Sequence, residues 1–197
     1  DPRLGTTVDV WPDAAATDKF MQRLADQYAL FANDLGDQLS AERRELYRRI
    51  IEQGLRLSAR YRSQHHMTIV HGDAHVWNCF LSRTGGPREA RLFDWDAWRL
   101  GAGTADLAYM MAMHWYPELR QRIERRLLDA YHDELVVNGI RGYDRNALQD
   151  DYRLSVLWLV TRPIWLHAGK IPAVIWRNNL ERIHLAFDDL GCRELLV

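Results

Sequence analysis

The sequence predicts a mainly helical fold that contains one small β-hairpin sheet, an α+β arrangement. Apolar residues recur with helical spacing over 17–66, short β-type runs are confined to 67–94, and helical spacing then resumes. Because helices and strands do not alternate, a βαβ sandwich is a poorer match to this order. With 197 residues, 47% of them hydrophobic, the chain is long enough to bury one substantial core.

Two helices are expected before the β-type runs. Residues 1–16 form an irregular lead-in, and Thr17 and Asp18 look like helix-start signals. The apolar face of the first helix comprises Phe20, Leu24, Tyr28 and Phe31. After a break at 33–36, Ser40 begins the second helix. Its apolar stripe comprises Leu46, Ile50, Leu55 and Leu57.

The β-type residues form three short runs in a chain that is otherwise helical. The runs are 67–70, 79–82 and 90–93. The last two flank residues 84–87, a turn-forming stretch with two glycines and a proline. We therefore expect the second and third runs to pair as a β-hairpin.

Helical spacing returns after the strands and predicts four more helices. They run from Thr104 or Ala105 to just before Pro117, from Pro117 to Asn138, over 145–167 with a kink at Pro163, and over 173–189.

The polar residues that are best suited to catalysis or metal binding lie in the β-rich segment. Asp73 and Asn78 lie between the first and second runs, and Asp94 follows the third. All three supply oxygen ligands of the kind that Mg²⁺ prefers. Because a hairpin brings the start of one strand beside the end of the next, Asn78 and Asp94 can face one site. Loops on a rigid base are where catalytic residues are usually placed.

The spacing of these residues resembles that of kinase-fold phosphotransferases. An H-G-D triplet that begins at His71 is followed by Asn78, five residues after Asp73, and then by a hairpin and Asp94. This H-G-D-x-H-x-x-N pattern with a later D-W is similar to the aminoglycoside phosphotransferase and choline kinase-like superfamily, which shares the protein-kinase fold.

The stretch 101–109, with its D-L-A-Y ending, looks closest to the ecdysteroid-kinase-like and bacterial relatives in that superfamily. The specific match covers residues 70–109. The resemblance implies a protein-kinase-like C-terminal lobe without the N-terminal lobe, as a single unit over 1–197. Its parts would be a helical lead-in (1–66), the catalytic loop and hairpin (67–96) and a helical subdomain (97–197).

The resemblance also implies an activity, namely transfer of the γ-phosphoryl group of ATP to a hydroxyl group of a small molecule. Asp73 would be the catalytic residue, which accepts or orients the proton of the attacking hydroxyl. Asn78 and Asp94 would hold Mg²⁺ against the ATP phosphates. The sequence does not specify the acceptor.

Three further residues would support the site. His71 would brace the loop without reacting, and Asp106, at a helix start, would accept backbone N–H bonds and hold the loop. His75 matches a position that is often histidine in the superfamily. Asp96 has no assigned role, since Ala97 stands where protein kinases carry a glycine.

Only two of the 26 basic residues are lysines, and neither matches the strand lysine that pairs with ATP phosphates in kinases. Lys19 begins a helix, Lys170 lies far downstream of the catalytic loop, and no glycine-rich hairpin precedes residue 67. We therefore expect the chain to be one lobe of a longer kinase, whose N-terminal lobe is its partner in the same parent chain. The alternative is a natural single-lobe pseudokinase or binding module without catalysis.

Other site classes fit less well. The His71-x-Asp73-x-His75 pattern could belong to an Fe(II) facial triad or to a metallohydrolase. Oxygenases that use a facial triad, however, usually have a β-barrel fold. The glycines at 101 and 103 fall short of a dinucleotide-binding fingerprint, because Asp106 occupies the third glycine position.

The composition bears on the partners and the cellular location of the chain. The net charge of −1 offers no general attraction to nucleic acid or to an anionic membrane. No apolar run approaches the length that spans a bilayer. Two cysteines, Cys79 and Cys192, are too few for a disulfide framework, so we expect reduced, largely buried thiols and a cytoplasmic location.

Overall fold

The computed structural model describes residues 13–83 and 90–196, and the predicted turn at 84–87 lies outside these ranges. The helices before the strands are α1 (Ala14–Leu35), α2 (Ala41–Glu52), α3 (Gly54–Leu57) and α4 (Ala59–Arg62). The strands are β1 (Thr68–Val70), β2 (Cys79–Phe80), β3 (Arg91–Leu92) and β4 (Arg99–Gly101). The later helices are α5 (Thr104–Ala108), α6 (Pro117–Val137), α7 (Arg145–Leu159), α8 (Arg162–Ala168) and α9 (Ala173–Asp189).

Helix α1 begins earlier than the sequence predicts. The carboxylate of Asp13 accepts a hydrogen bond from the backbone N–H of Ala16 at 2.8 Å, as a helix N-cap does. The predicted start at Thr17 and Asp18 is therefore wrong, and Thr17 is buried inside the helix. The helix ends at Gly36, whose φ of +51° suits the end of a helix.

The second predicted helix is divided into α2, α3 and α4. Its start is confirmed, because the Ser40 hydroxyl accepts a hydrogen bond from the backbone N–H of Arg43. The helix breaks at Gln53, and Gly54 then packs so closely on α1 that a Cβ would lie 1.7 Å from the sulfur of Met21. Leu55 is consequently 40% exposed and does not extend the buried stripe.

The strands form two separate two-stranded antiparallel sheets. The predicted pairing of β2 with β3 is confirmed, with Cys79 opposite Leu92 and Phe80 opposite Arg91. Strand β1 pairs instead with β4, which the sequence did not predict. The expectation of one small sheet is therefore wrong in number, although the mainly helical α+β class is confirmed.

The later helices match the prediction closely except at two places. Helix α5 continues as a π-helical turn over Tyr109–His114, which ends before Pro117 as expected. The predicted helix over 145–167 is interrupted at Val160 and Thr161, and Pro163 lies in the first turn of α8, where proline is well tolerated. Helix α9 has the predicted bounds, and Gly191 adopts a φ of +62° just beyond it.

The hydrophobic core joins helices from both sides of the strands. Phe31 on α1 is fully buried, and its ring packs against Tyr47 on α2 and Trp176 on α9. Burying each such side chain is worth roughly 1.5–3 kcal/mol. Helix α5 packs against α7, where the hydroxyls of Thr104 and Ser155 lie 2.9 Å apart. The core therefore fixes α5, which in turn carries the site.

Both cysteines are free thiols, with Cys192 buried and Cys79 partly exposed. In the described ranges we find no helix that combines the length and apolarity needed to cross a membrane.

Candidate active site

The loop between β1 and β2 (71–78, hereafter the catalytic-type loop) is held by Asp106 on α5. The two carboxylate oxygens of Asp106 accept hydrogen bonds from the backbone N–H of His71 at 2.6 Å and of Gly72 at 2.9 Å. Gly72 has a φ of +82°, and a Cβ there would lie 2.2 Å from the carbonyl oxygen of Ala97. Glycine is therefore required at position 72 both by its backbone conformation and by the available space.

His71 joins this loop to the segment that carries Asp94. Its side chain is 1% exposed, and its Nε2 donates to the carbonyl oxygen of Phe93 at 2.8 Å. Its Nδ1 accepts from the backbone N–H of Asp73 at 3.3 Å. The backbone N–H of Phe93 in turn donates to the carbonyl oxygen of Asn78 at 3.1 Å. This contact extends the β2–β3 pairing by one residue, so that Asp94 follows the residue paired with Asn78.

Asp73 is held in place by side chains from two elements. The hydroxyl of Tyr109, in the π-helical turn, donates to its Oδ1 at 2.6 Å. The amide of Asn78 donates to its Oδ2 at 3.1 Å and to its backbone carbonyl at 3.0 Å. The Nε2 of His75 lies 3.4 Å from the same Oδ2. The carboxylate is therefore fixed but remains about a third exposed to solvent, with 32% side-chain accessibility.

These contacts keep Asp73 ionised. Partial burial alone would raise its pKa, but the hydrogen bond from Tyr109, the nearby His75 and Arg162, and the Asn78 amide together hold the pKa below its ordinary value. Burial, with the hydrogen bond to Asp73, raises the pKa of Tyr109 to about 12. At neutral pH the pair is therefore a carboxylate that accepts a hydrogen bond from a neutral phenol, so Asp73 can act as a proton acceptor.

Asp94 lies at the exit of β3 in an unusual conformation. Its φ is +65°, a left-handed value that is uncommon for residues other than glycine and concentrates at functional sites. A hydrogen bond with Asp96 and the negative charge of that residue raise the pKa of Asp94. Two neighbouring carboxyl groups of this kind repel each other, and a divalent cation would relieve that repulsion.

Asn78, whose backbone pairs with the residue before Asp94, offers a second oxygen ligand. Its amide NH₂ is committed to Asp73, whereas its Oδ1 accepts no hydrogen bond from any residue that the structure describes. One or two carboxylate-type ligands plus substrate phosphates are the usual set for Mg²⁺. The residues present therefore fit a magnesium ion that is completed by phosphate oxygens.

The ligand set for an iron triad does not form around the same loop. Both ring nitrogens of His71 are engaged, with Phe93 and with Asp73. Over 13–83 and 90–196 no group of three or more His, Cys, Asp or Glu side chains is placed to hold a metal ion. The described residues thus lack the three protein ligands that the facial-triad alternative requires.

Several residues of the site were missed by sequence reasoning. Tyr109, His114 and Arg162 had no role assigned from the sequence. The His114 ring lies 4.9 Å from that of Tyr109 and 5.1 Å from that of His75, with Trp77 beyond it at 6.0 Å. Burial, with the neighbouring His75, lowers the pKa of His114 to about 4, so it is neutral at physiological pH. Tyr109 lies three residues after Asp106 on one helix, a spacing that could have indicated it.

The structure thus brings together an aspartate that follows a glycine, an asparagine five residues further on, and a second aspartate across a hairpin, on a mainly helical fold. The family model for the ecdysteroid kinase-like family matches residues 12–139, more than half of the chain, and the chain belongs to that family. This confirms the resemblance seen in the sequence and places the chain in the protein-kinase-like and aminoglycoside phosphotransferase superfamily. No curated protein and no solved structure matches the chain significantly.

Proposed function

We propose that this chain carries the catalytic site of an ATP-dependent phosphotransferase that acts on a hydroxyl group of a small molecule. The observation that supports this best is the bracing of Asp73, whose carboxylate is held by Tyr109 and Asn78 and kept ionised. An ionised carboxylate in a fixed position can accept the proton of an attacking hydroxyl. Membership of a kinase-like family supports the same reaction class.

In the proposed reaction the acceptor hydroxyl lies against Asp73. A bond forms between the acceptor oxygen and the γ-phosphorus of ATP, the bond from that phosphorus to the bridging oxygen breaks, and ADP leaves. The hydroxyl proton passes to the carboxylate of Asp73. When bound, Mg²⁺ held by Asn78 and Asp94 would neutralise negative charge on the phosphates. His71 and Asp106 act only by holding the loop, since their polar atoms are occupied by backbone groups.

We propose further that an N-terminal lobe in the same parent chain completes the ATP site. Kinases pair the phosphates with a lysine on a strand. Within the described ranges the lysines are Lys19 on α1 and Lys170, which follows α8, and neither lies on a strand or near the catalytic-type loop in the chain. We expect that lobe to supply the cation that pairs with the phosphates.

The test of the reaction uses the protein with its natural N-terminal sequence, a panel of hydroxylated metabolites and Mg²⁺–ATP, with ADP release as the readout. Asp73→Asn keeps the size of the side chain but removes the proton acceptor, so turnover should fall by about 10²–10⁴-fold while ATP binding stays unchanged. Asp150→Asn on the exposed face of α7 is the matched control and should retain full turnover. Turnover within threefold of wild type in Asp73→Asn would overturn the assignment.

A further inference from the structure

Two large aromatic side chains are exposed close to the proposed catalytic residue. Trp77, in the catalytic-type loop, is 71% exposed, and Tyr116, directly before α6, is 69% exposed. Aromatic side chains often line ligand sites, because their rings offer a large and rigid contact surface. The proposed phosphotransfer assigns no role to either ring.

A cluster of three ring side chains extends from Asp73 to this exposed surface. The Nε2 of His75 lies 3.4 Å from Oδ2 of Asp73. The centroid of the His75 ring lies 5.4 Å from that of Trp77 and 5.1 Å from that of His114. The rings of Trp77 and His114 are 6.0 Å apart. This ring cluster (His75, Trp77 and His114) therefore begins at the carboxylate that would receive the acceptor hydroxyl.

Arg182 on α9 lies at the other end of the ring cluster. Its guanidinium donates to the backbone carbonyl oxygen of His114 at 3.3 Å and lies 4.6 Å from the centroid of the Tyr116 ring. In residues 13–83 and 90–196 no carboxylate lies within 4 Å of this guanidinium. The contacts with His114 and Tyr116 hold the side chain in place without neutralising its charge, which arginine keeps at any physiological pH.

The charges around the ring cluster differ between its two ends. Burial, with the neighbouring His75, lowers the pKa of His114 to about 4, so this ring adds no charge at neutral pH. Asp73 supplies a negative charge at one end and Arg182 a positive charge at the other. A ligand with a hydroxyl at Asp73 and an anionic group at Arg182 would complement both ends.

We propose that Arg182 binds a carboxylate of the ligand whose hydroxyl lies at Asp73, while the ring cluster contacts the carbon chain between these two groups. The planar guanidinium can donate two N–H groups to one carboxylate, which suits it to this role. The inference rests on the proposed function, because it takes the ligand to be the phosphoryl acceptor. Arg182 would then select hydroxylated carboxylates over neutral and cationic acceptors. The binding itself requires neither ATP nor Mg²⁺.

The test compares 8-hydroxyoctanoate, 1,8-octanediol and 8-amino-1-octanol as ligands of the protein with its natural N-terminal sequence. The three probes share one carbon chain and a terminal hydroxyl, but the other end is negative, neutral or positive at pH 7.5. Ligand-observed NMR titration without nucleotide or metal gives each affinity. We expect the acid to bind at least about tenfold more tightly than the diol, and the amino alcohol to bind most weakly. Added salt should reduce the advantage of the acid, since salt screens charge.

Two variants locate the parts of the site. Arg182→Gln removes the positive charge and should reduce the advantage of the acid over the diol to threefold or less. Trp77→Ala removes an apolar contact and should weaken all three probes alike, by at least about threefold. Arg177→Gln is the control and should leave the advantage intact, because Arg177 is also on α9 but its guanidinium lies over the Trp176 ring, 5.6 Å from the centroid.

Equal affinities for the acid and the diol, tightest binding of the amino alcohol, or no binding of the acid at millimolar concentration would overturn the proposal. So would an undiminished advantage in Arg182→Gln, or unchanged binding of all three probes in Trp77→Ala. Failure of the phosphotransfer test with Asp73→Asn would leave these binding results unaffected, so the two proposals can fail separately.

Discussion

Replacing Tyr109 with phenylalanine should raise the pKa of Asp73. The change removes the hydroxyl that donates to Oδ1 of Asp73 at 2.6 Å and keeps the ring that packs beside His75 and His114. A hydrogen bond to a charged group is worth about 1.5–3 kcal/mol. We take the lower value, because Asp73 is about a third exposed and solvent screens the interaction. Loss of this hydrogen bond should therefore weaken the ionised form of Asp73 in the folded protein by about 1.5 kcal/mol.

The assay is an NMR titration of the Asp73 carboxyl carbon in wild type and Tyr109→Phe. Tyr116→Phe is the control, because Tyr116 is 69% exposed, its ring faces Arg182, and its hydroxyl donates to no described residue. An unchanged or lowered Asp73 pKa in Tyr109→Phe would refute the proposed bracing of the carboxylate.

The same change has a consequence for the pH dependence of stability. The pKa of Asp73 is lowered in the folded protein, so its ionised form contributes stability above the unfolded pKa of about 3.9, and this is lost as the pH falls through the folded pKa. The difference in unfolding free energy between wild type and Tyr109→Phe should therefore be full at neutral pH and shrink on acidification below about pH 4. Chemical denaturation between pH 3 and 7 measures it.

Two further predictions concern residues that hold the catalytic-type loop in its conformation. Gly72→Ala should lower the free energy of unfolding by at least about 2 kcal/mol in urea denaturation, because alanine resists a φ of +82° and its Cβ would strike the carbonyl oxygen of Ala97. Asp106→Asn should lower it by about 2–3 kcal/mol, since the amide has one acceptor oxygen for two backbone N–H groups and leaves one of them unpaired.

Each of these variants has a matched control in the chain. Gly139 also has a positive φ, +88°, but a Cβ there would meet nothing within 4 Å, so Gly139→Ala should cost only about 1 kcal/mol. Asp150→Asn on exposed α7 should change stability by less than about 0.5 kcal/mol. Equal losses in Gly72→Ala and Gly139→Ala would show that contact with Ala97 is unimportant. A loss in Asp106→Asn no larger than in Asp150→Asn would contradict the anchoring role of Asp106.

The parts of the fold that follow from local signals were predictable from the sequence. Pro117 begins α6 and Gly191 follows the end of α9. Both helices have the expected bounds. The pairing of β2 with β3 followed from two β-type runs around a glycine-rich turn sequence. Local backbone preferences decide these features, so one sequence suffices.

The missed features depend on contacts between distant parts of the chain. Helix α2 stops at Gln53, where Gly54 packs against Met21 on α1, a residue far away in the chain. Strand β4 has no alternating pattern of its own and is defined by pairing with β1. Sequence periodicity contains no information on such long-range partners.

The candidate site was predictable in its residue types and not in its contacts. The spacing of Asp73, Asn78 and Asp94 indicated which residues to consider. The π-helical turn that directs Tyr109 to Asp73 and places His114 beside His75 could not be read from residue spacing. A π-helical turn shifts side chains from their α-helical positions, so helical periodicity misplaces them.

The most direct test of the proposed site is calorimetric titration of the protein, with its natural N-terminal sequence, with ATP in the presence and absence of Mg²⁺. Wild type and Asp94→Asn are compared, because Asp94 is the charged residue of the proposed metal site. We expect Mg²⁺ to tighten ATP binding in wild type and this enhancement to fall at least about tenfold in Asp94→Asn. An equal enhancement in both proteins would contradict the assignment of the hairpin as the metal–nucleotide site.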